Sequence, residues 1–271
     1  MRSRLGVALV ALLAPAVPAA AGPGPDIRDT RMLSEPAISN DRIAFIYAGD
    51  LWTCDLSGGA VRRITADVGL ESSPAFSPDG KWIAYSAEFD GNTDVYLVSA
   101  DGGMPRRLTW HPGKDIAQGF TPDGKYVLLT SPRGVYTSRY TQLFRVPVEG
   151  GPEELVPIPN ANRAAYSPDG ARIAYNPGAP QFQQWKRYRG GAVSEIWIYE
   201  PSTRAVEKVP QPQTRTNDAG PMWIGATVYF RSDRDGEFNL YSYEPKSRAI
   251  KRLTNHADFP ILNASAGGGK I

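Results

Sequence analysis

The densest group of cationic and aromatic side chains in this sequence lies within residues 176–194, between two predicted strands. The group comprises Trp185, Lys186, Arg187, Tyr188 and Arg189, and a double glycine follows it. A guanidinium group binds a carboxylate through two parallel hydrogen bonds, so this segment could hold carboxylate ligands at a channel mouth or dock another domain. A solvated basic loop packed by its own aromatic residues explains the same composition, and the sequence leaves both interpretations open.

Other residues with catalytic or metal-binding chemistry are few. His111 and His256 are the two histidines, and each follows a predicted outer strand, which predicts equivalent connector positions rather than a catalytic pair. The sequence contains neither a Gly-x-Ser-x-Gly nucleophile motif nor an HExxH metal motif. We therefore predict no catalytic residue, no metal site and no cofactor in this chain.

Residues 233–239 are a further candidate, because Asp233, Asp235 and Glu237 alternate as carboxylates do in calcium-binding loops. The segment lacks the distal glutamate of such a site, and its Asp-Gly pair is typical of a tight turn. We interpret it as a hairpin between two strands.

A repeated unit must position all of these segments. The phrase Ser/Thr-Pro-Asp-Gly occurs at 77–80, 121–124 and 167–170, with degenerate copies at 36–41 and 221–225. The three full copies are about 45 residues apart, which is about the length of one four-stranded propeller blade. Proline and Asp-Gly form turns, and the segments between them are rich in β-branched and aromatic residues.

The repeats predict an all-β fold, a β-propeller with four-stranded antiparallel blades. We place the propeller at 36–271, with blades near 36–73, 74–118, 119–163, 164–218 and 219–264 and the start of a sixth at 265–271. The last residues resemble the opening of another repeat, so we expect a truncated six-bladed propeller that is a fragment of a longer protein.

The N-terminus has the pattern of a secretory signal. Arg2 and Arg4 precede an apolar run at 5–17, and small residues at 19–21 offer a cleavage site. We predict a signal peptide at 1–21, a linker at 22–35 and an exported protein, periplasmic or secreted. The apolar run is too short for a membrane anchor, so we expect no membrane association after cleavage.

Composition limits the partners further. The chain has 30 lysines and arginines against 28 aspartates and glutamates, a balance that gives no indication of a nucleic-acid partner. Cys54 is the only cysteine, so the chain can form no internal disulfide.

Several motifs together resemble the N-terminal region of tricorn-type peptidases. The similarity runs in unbroken order from Pro36 to the end, and the most specific part is the Trp-Lys-Arg-Tyr-Arg-Gly-Gly insertion at 185–191. The other matching segments are Asp-Leu-Trp at 50–52, the Ser-Pro-Asp-Gly turns, Gln-Leu-Phe at 142–144 before 146–151, Ile-Trp-Ile at 196–198, and 230–236 with 239–241.

The resemblance implies a six-bladed propeller followed by a second propeller, a PDZ-like module and a serine-peptidase core, in a full-length homo-oligomer. It implies that peptides and the distal domains are partners, that this propeller guides or filters peptides, and that the catalytic residues lie outside this chain. Some members hold a peptide carboxylate with an arginine pair after the outer strand of blade two. Here Lys114 is the only lysine or arginine in that loop, 110–118, which departs from the pattern.

Two other functions remain open. The first is a non-enzymatic binding propeller like that of the Tol envelope system, which would have regular, short blades instead of the insertion at 176–194. The second is the propeller of a prolyl-oligopeptidase-like enzyme, which would continue into an α/β-hydrolase with a Gly-x-Ser-x-Gly motif.

Overall fold

The computed structural model describes residues 32–135, 140–183 and 185–271. The predicted signal peptide and residues 22–31 of the predicted linker lie outside this part. The described chain forms five four-stranded antiparallel sheets, and in each one the strands pair with their neighbours in the sequence. This arrangement confirms the predicted all-β propeller and its first five blades.

The sheets are numbered blade one to blade five in chain order. Blades one and two contain β1 (Ser34–Ile38), β2 (Arg42–Tyr47), β3 (Asp50–Asp55) and β4 (Arg62–Arg63), then β5 (Glu71–Phe76), β6 (Trp82–Glu88), β7 (Thr93–Ser99) and β8 (Arg106–Arg107). Blade three contains β9 (Ile116–Phe120), β10 (Tyr126–Ser131), β11 (Gln142–Pro147) and β12 (Glu154–Leu155). Blades four and five contain β13 (Arg163–Tyr166), β14 (Ile173–Asn176), β15 (Trp197–Glu200) and β16 (Ala205–Lys208), then β17 (Asp218–Ile224), β18 (Thr227–Ser232), β19 (Asn239–Glu244) and β20 (Ala249–Arg252).

The repeated phrase forms the hairpin between the first and second strands of a blade. In blade two the Ser77 hydroxyl donates to Asp79 at 2.6 Å and accepts from the backbone amide of Trp82 at 3.0 Å. Gly80 has a φ of 73°, which a residue without a Cβ adopts at little cost. The same bonds recur in blades three and four, and Ser39 and Asp41 make them in the degenerate copy of blade one.

Neighbouring blades stack through apolar clusters. Leu51 and Tyr85 belong to one cluster between blades one and two, and Leu97 and Val127 to another between two and three. Leu128 and Ile173 share the cluster between three and four, and Ile198 and Phe230 share the one between four and five. One sheet alone buries too little apolar surface to be stable, so this stacking provides the core. Among the described residues, no such cluster joins blade five to blade one.

The last residues of the chain lie against blade one. Gly267 passes so close to β1 that a Cβ at this position would overlap the carbonyl oxygen of Ile38. An isolated backbone bridge links Gly267 to Lys270. The start of a sixth blade at 265–271 remains a prediction. Within the described part of the chain, no helix is long and apolar enough to cross a bilayer; the one short helix is the 3-10 turn Gln181–Gln183.

Candidate functional site

The five first strands surround a cavity of about 590 Å³, called the axial cavity here. Each blade contributes residues from its innermost strand, and the segment 263–269 completes the wall. In four of the five blades the pairing of the first strand shifts register, and such bulges bend and twist a strand. The axial cavity is therefore built by the repeat as a whole and not by one motif.

A second cavity, called the lateral cavity here, has a volume of about 700 Å³. It is lined by blades three to five, by the C-terminal segment and by the fourth-blade insertion, including Phe182 and Lys186. The two cavities adjoin, because five residues line both of them: Gln118, Arg163, Gly220, Arg231 and Asn263.

Arg231 reaches this junction from β18. Its guanidinium donates to the backbone carbonyls of Ile261, at 3.2 Å, and Leu262. It lies over Gly220, where a Cβ would be 3.6 Å from the guanidinium, and where a φ of 65° favours glycine. Burial, together with the positive charge of Arg163, lowers the pKa of Arg231 to about 10.

Arg163 begins β13 and enters the same junction from blade four. Its side chain keeps accessible surface because it faces both cavities. Burial lowers its pKa, and the carboxylate of Glu35 opposes that shift. Among the described residues, no hydrogen-bond acceptor pairs with this guanidinium.

The fourth-blade insertion docks onto the hairpin of blade five. Lys186 and Arg187 both form ion pairs with Glu237, at 2.8 and 3.2 Å, and they hold the pKa of this carboxyl below its usual range. Both cations stay largely exposed, and Lys186 also lines the lateral cavity. The insertion thus lines a cavity and packs on its own chain, so features of both predicted interpretations are present.

Arg189 makes the more buried contact of the insertion. Its guanidinium donates to Asp233 at 2.6 Å, and the Asp233 side chain is only 2% exposed. Asn217 donates to the same carboxylate at 2.9 Å and to the backbone carbonyl of Tyr188, also at 2.9 Å. Trp185 stacks on Tyr188, with ring centroids 6.1 Å apart.

These ion pairs explain the segment with the calcium-loop pattern. Asp233 and Glu237 are neutralised by cations of the insertion, and Asp235 accepts from the Tyr241 hydroxyl at 2.6 Å. No group of acidic, histidine or cysteine side chains with metal-binding geometry occurs in the described residues. The segment forms the predicted turn between β18 and β19.

The remaining predicted residues lie on the connectors. His111 and His256 hold equivalent positions after β8 and β20. Each follows by two residues a threonine, Thr109 or Thr254, whose hydroxyl accepts from a third-strand amide at 3.0 Å. Lys114 is exposed before β9 and lines neither cavity. The ligand-binding roles predicted for Lys114 and for the insertion remain predictions.

Sequence reasoning missed the arginines at the junction of the cavities. Arg163 and Arg231 belong to no repeated phrase, and each is an isolated cation within a strand. The available signal was a single cation within a strand of apolar residues, because such a charge must either face a cavity or find a partner.

A β-propeller domain with an axial cavity is the class of protein that these features define. The protein-family model for the tricorn protease N-terminal beta propeller domain matches residues 30–271. The chain therefore belongs to the tricorn protease N-terminal propeller family, as the motifs predicted.

Relatives and solved structures agree with this assignment. A tricorn protease homolog from Streptomyces coelicolor is 33% identical over 246 residues, which are 87% of this chain and 20% of the relative. The tricorn protease of Thermoplasma acidophilum is 31% identical over 254 residues, 89% of this chain and 23% of the relative. The crystal structure of the tricorn protease aligns with a TM-score of 0.77 and 27% identity, over 88% of this chain and 24% of that one.

Propellers of the Tol-Pal system are also similar. TolB from Desulfosudis oleivorans is 37% identical over 71 residues, which are 25% of this chain and 16% of the relative. The TolB structure from Acinetobacter baumannii has a TM-score of 0.67 at 24% identity, over 84% of this chain and 55% of that one, and so shows a shared fold. The chain spans about a fifth to a quarter of the length of the tricorn relatives it matches.

Proposed function

We propose that this chain is the first propeller of an exported tricorn-type serine peptidase, where it guides or filters short peptides and docks the catalytic core. The family match over residues 30–271 carries the proposal. In this proposal, proteolysis belongs to segments outside this chain, and the charged and apolar N-terminus supports export.

The cavities support a guiding role. The axial cavity is walled by all five described blades, and the lateral cavity connects it to the fourth-blade insertion. A peptide is a narrow, extended ligand with polar backbone and charged ends, and adjoining cavities with polar and apolar walls suit its passage. Partners in this proposal are peptides, the distal domains and further copies of the full-length protein.

An obstruction in the passage tests this role. Asn263 lines both cavities and is exposed to them, so Asn263→Trp places an indole where peptides would pass. In the full-length peptidase, we expect turnover of short peptides to fall severalfold while the melting temperature changes little. Turnover and thermal unfolding of the same preparations are the measurements.

The matched control is Asn255→Trp, which adds the same side chain at an exposed connector position outside both cavities. We expect this variant to behave as the unchanged enzyme. Equal turnover in the two variants would show that peptides do not pass through the two cavities.

The alternative is a non-enzymatic binding propeller like that of the Tol system, which the local similarity to TolB favours. Reading the gene beyond the codon for Ile271 separates the two functions. A continuous frame that encodes a serine-peptidase core supports the peptidase, and a stop codon directly after one more blade supports the binding propeller.

A further inference from the structure

Two guanidinium groups of the same charge face one junction without an acidic partner. Arg163 belongs to blade four, Arg231 belongs to blade five, and both line the axial and the lateral cavity. Their charges act on each other, because the cation of Arg163 contributes to the lowered pKa of Arg231. Among the described residues, neither arginine forms an ion pair.

The other charged side chains around the cavities do not neutralise them. Glu35, Lys186 and Glu237 are the remaining charged residues in the described walls. Glu237 is already paired with Lys186 and Arg187. Glu35 accepts a hydrogen bond from the backbone amide of Ser73, on the side of blades one and two, and acts on Arg163 only from a distance.

The two arginines also differ in how firmly they are held. One terminal nitrogen of the Arg231 guanidinium donates to the carbonyls of Ile261 and Leu262, and these contacts hold the side chain in the junction. Arg163 has all its donors free among the described residues. One anchored and one free guanidinium, which line the same two cavities, provide several N–H donors for a planar or tetrahedral oxyanion.

The electrostatic repulsion between the two arginines also favours binding of an anion. Two like charges in a partly desolvated site repel each other more strongly than at the surface, and a bound anion relieves this repulsion while it satisfies the free donors. Arginine is suited to this use because its planar fork matches the geometry of carboxylate and phosphate oxygens.

We propose that Arg163 and Arg231 form an oxyanion-binding site at the junction of the axial and lateral cavities. A carboxylate at the end of a short peptide and free phosphate share this chemistry. The existence of the site does not depend on the proposed function. The identification of a peptide as the source of the carboxylate does depend on that function.

Calorimetry at low ionic strength tests the site on the full chain, because salt screens such contacts. The probes are N-acetyl-trialanine as the free acid, the same peptide as its C-terminal amide, and inorganic phosphate. We expect the free acid to bind at least tenfold more tightly than the amide. Arg163→Gln should weaken binding of the free acid at least tenfold.

Two further variants keep the result interpretable. Arg145→Gln makes the same change at an arginine of β11 that pairs with Glu154 and lines neither cavity, and we expect unchanged binding. Arg163→Glu places a carboxylate beside Arg231, and we expect it to abolish binding and to raise the melting temperature. A folded Arg163→Glu protein that still binds the free acid would overturn the site.

The outcomes separate the sources. Phosphate binding that depends on Arg163, without binding of the free acid, supports the oxyanion site and rejects the peptide as its source. Equal binding of acid and amide that is insensitive to Arg163 overturns the site but leaves a peptide path intact. Binding of none of the probes also overturns the site, while the Asn263→Trp turnover experiment decides the proposed function separately.

Discussion

At the scale of single residues, Glu71 is a carboxyl group held inside the stacked sheets. Its side chain is 5% exposed at the start of β5, between blades one and two. The Thr65 hydroxyl donates to one carboxyl oxygen at 2.5 Å, and the other oxygen has no partner among the described residues. Burial is the main reason that the pKa of Glu71 is raised from its usual 4.5 to about 7.

This shift predicts that stability depends on pH through Glu71. Between pH 4.5 and about 7 the unfolded chain releases the proton that the folded chain retains, so the free energy of unfolding decreases as the pH rises. Below this range both states are protonated, and above it both are ionised, so the contribution is flat. Glu71→Gln should remove this decrease, and unfolding by denaturant at pH 4, 5.5 and 7.5 measures it.

The control for Glu71 is Glu88→Gln, which lies on the neighbouring strand β6 with an exposed side chain. It should keep the pH dependence of the unchanged protein. The same slope in Glu71→Gln and the unchanged protein would contradict the role assigned to Glu71.

At the scale of elements, the fourth-blade insertion is held to blade five by two kinds of ion pair. Arg189 pairs with the buried carboxylate of Asp233, whereas Glu237 is shared by two exposed cations, Arg187 and Lys186. Removing the partner of a buried charge costs more than removing one of two exposed partners, because water cannot compensate inside the protein.

Arg189→Gln should therefore destabilise the folded chain by about 1–3 kcal/mol, a typical cost for a buried charged group that loses a hydrogen-bonding partner, because Asp233 loses its cation and keeps only the bonds from Asn217. Arg187→Gln should leave the melting temperature nearly unchanged, since Lys186 still pairs with Glu237. Thermal unfolding of the two variants measures the difference. Equal effects would show that the insertion is not anchored through Asp233.

The same pair of variants tests whether the insertion serves peptides. If Arg187 binds peptide carboxylates, Arg187→Gln in the full-length enzyme lowers turnover without loss of stability. If the insertion only packs, turnover follows stability and falls for Arg189→Gln alone.

At the scale of the whole molecule, the blades differ in how they are supported. Blades two, three and four have an apolar cluster on both faces, while blades one and five have one such cluster each in the described chain. In a repeat architecture the stability of each unit depends on its interfaces with its neighbours. The end blades should thus open more easily than the middle ones.

Amide hydrogen exchange measures this difference. We expect slower exchange in the second strands β6, β10 and β14 than in β2 and β18, because opening a middle blade disrupts two apolar interfaces. Leu97 and Leu128 belong to the two clusters that flank blade three. Truncating either side chain should reduce amide protection in blade three first. Uniform protection across all five blades would indicate that the ring unfolds as one unit.

The sequence by itself determined the blades, because each repeat carries its own turn chemistry. The Ser77 hydroxyl, Asp79 and the Trp82 amide bond to one another within six residues, so the hairpin is specified locally. Alternating apolar residues between such turns then indicate strands that need neighbours on both faces. The similarity to the tricorn family followed from the same repeats and from the insertion at 185–191.

Only the tertiary structure decided where the charges meet. The pairing of Arg189 with Asp233, the burial of Glu71 and the approach of Arg163 to Arg231 join residues from different blades or distant segments. These contacts depend on how the sheets stack around the axis, and no local pattern specifies that stacking. The cavity junction, with its two arginines, is therefore a property of the assembled ring.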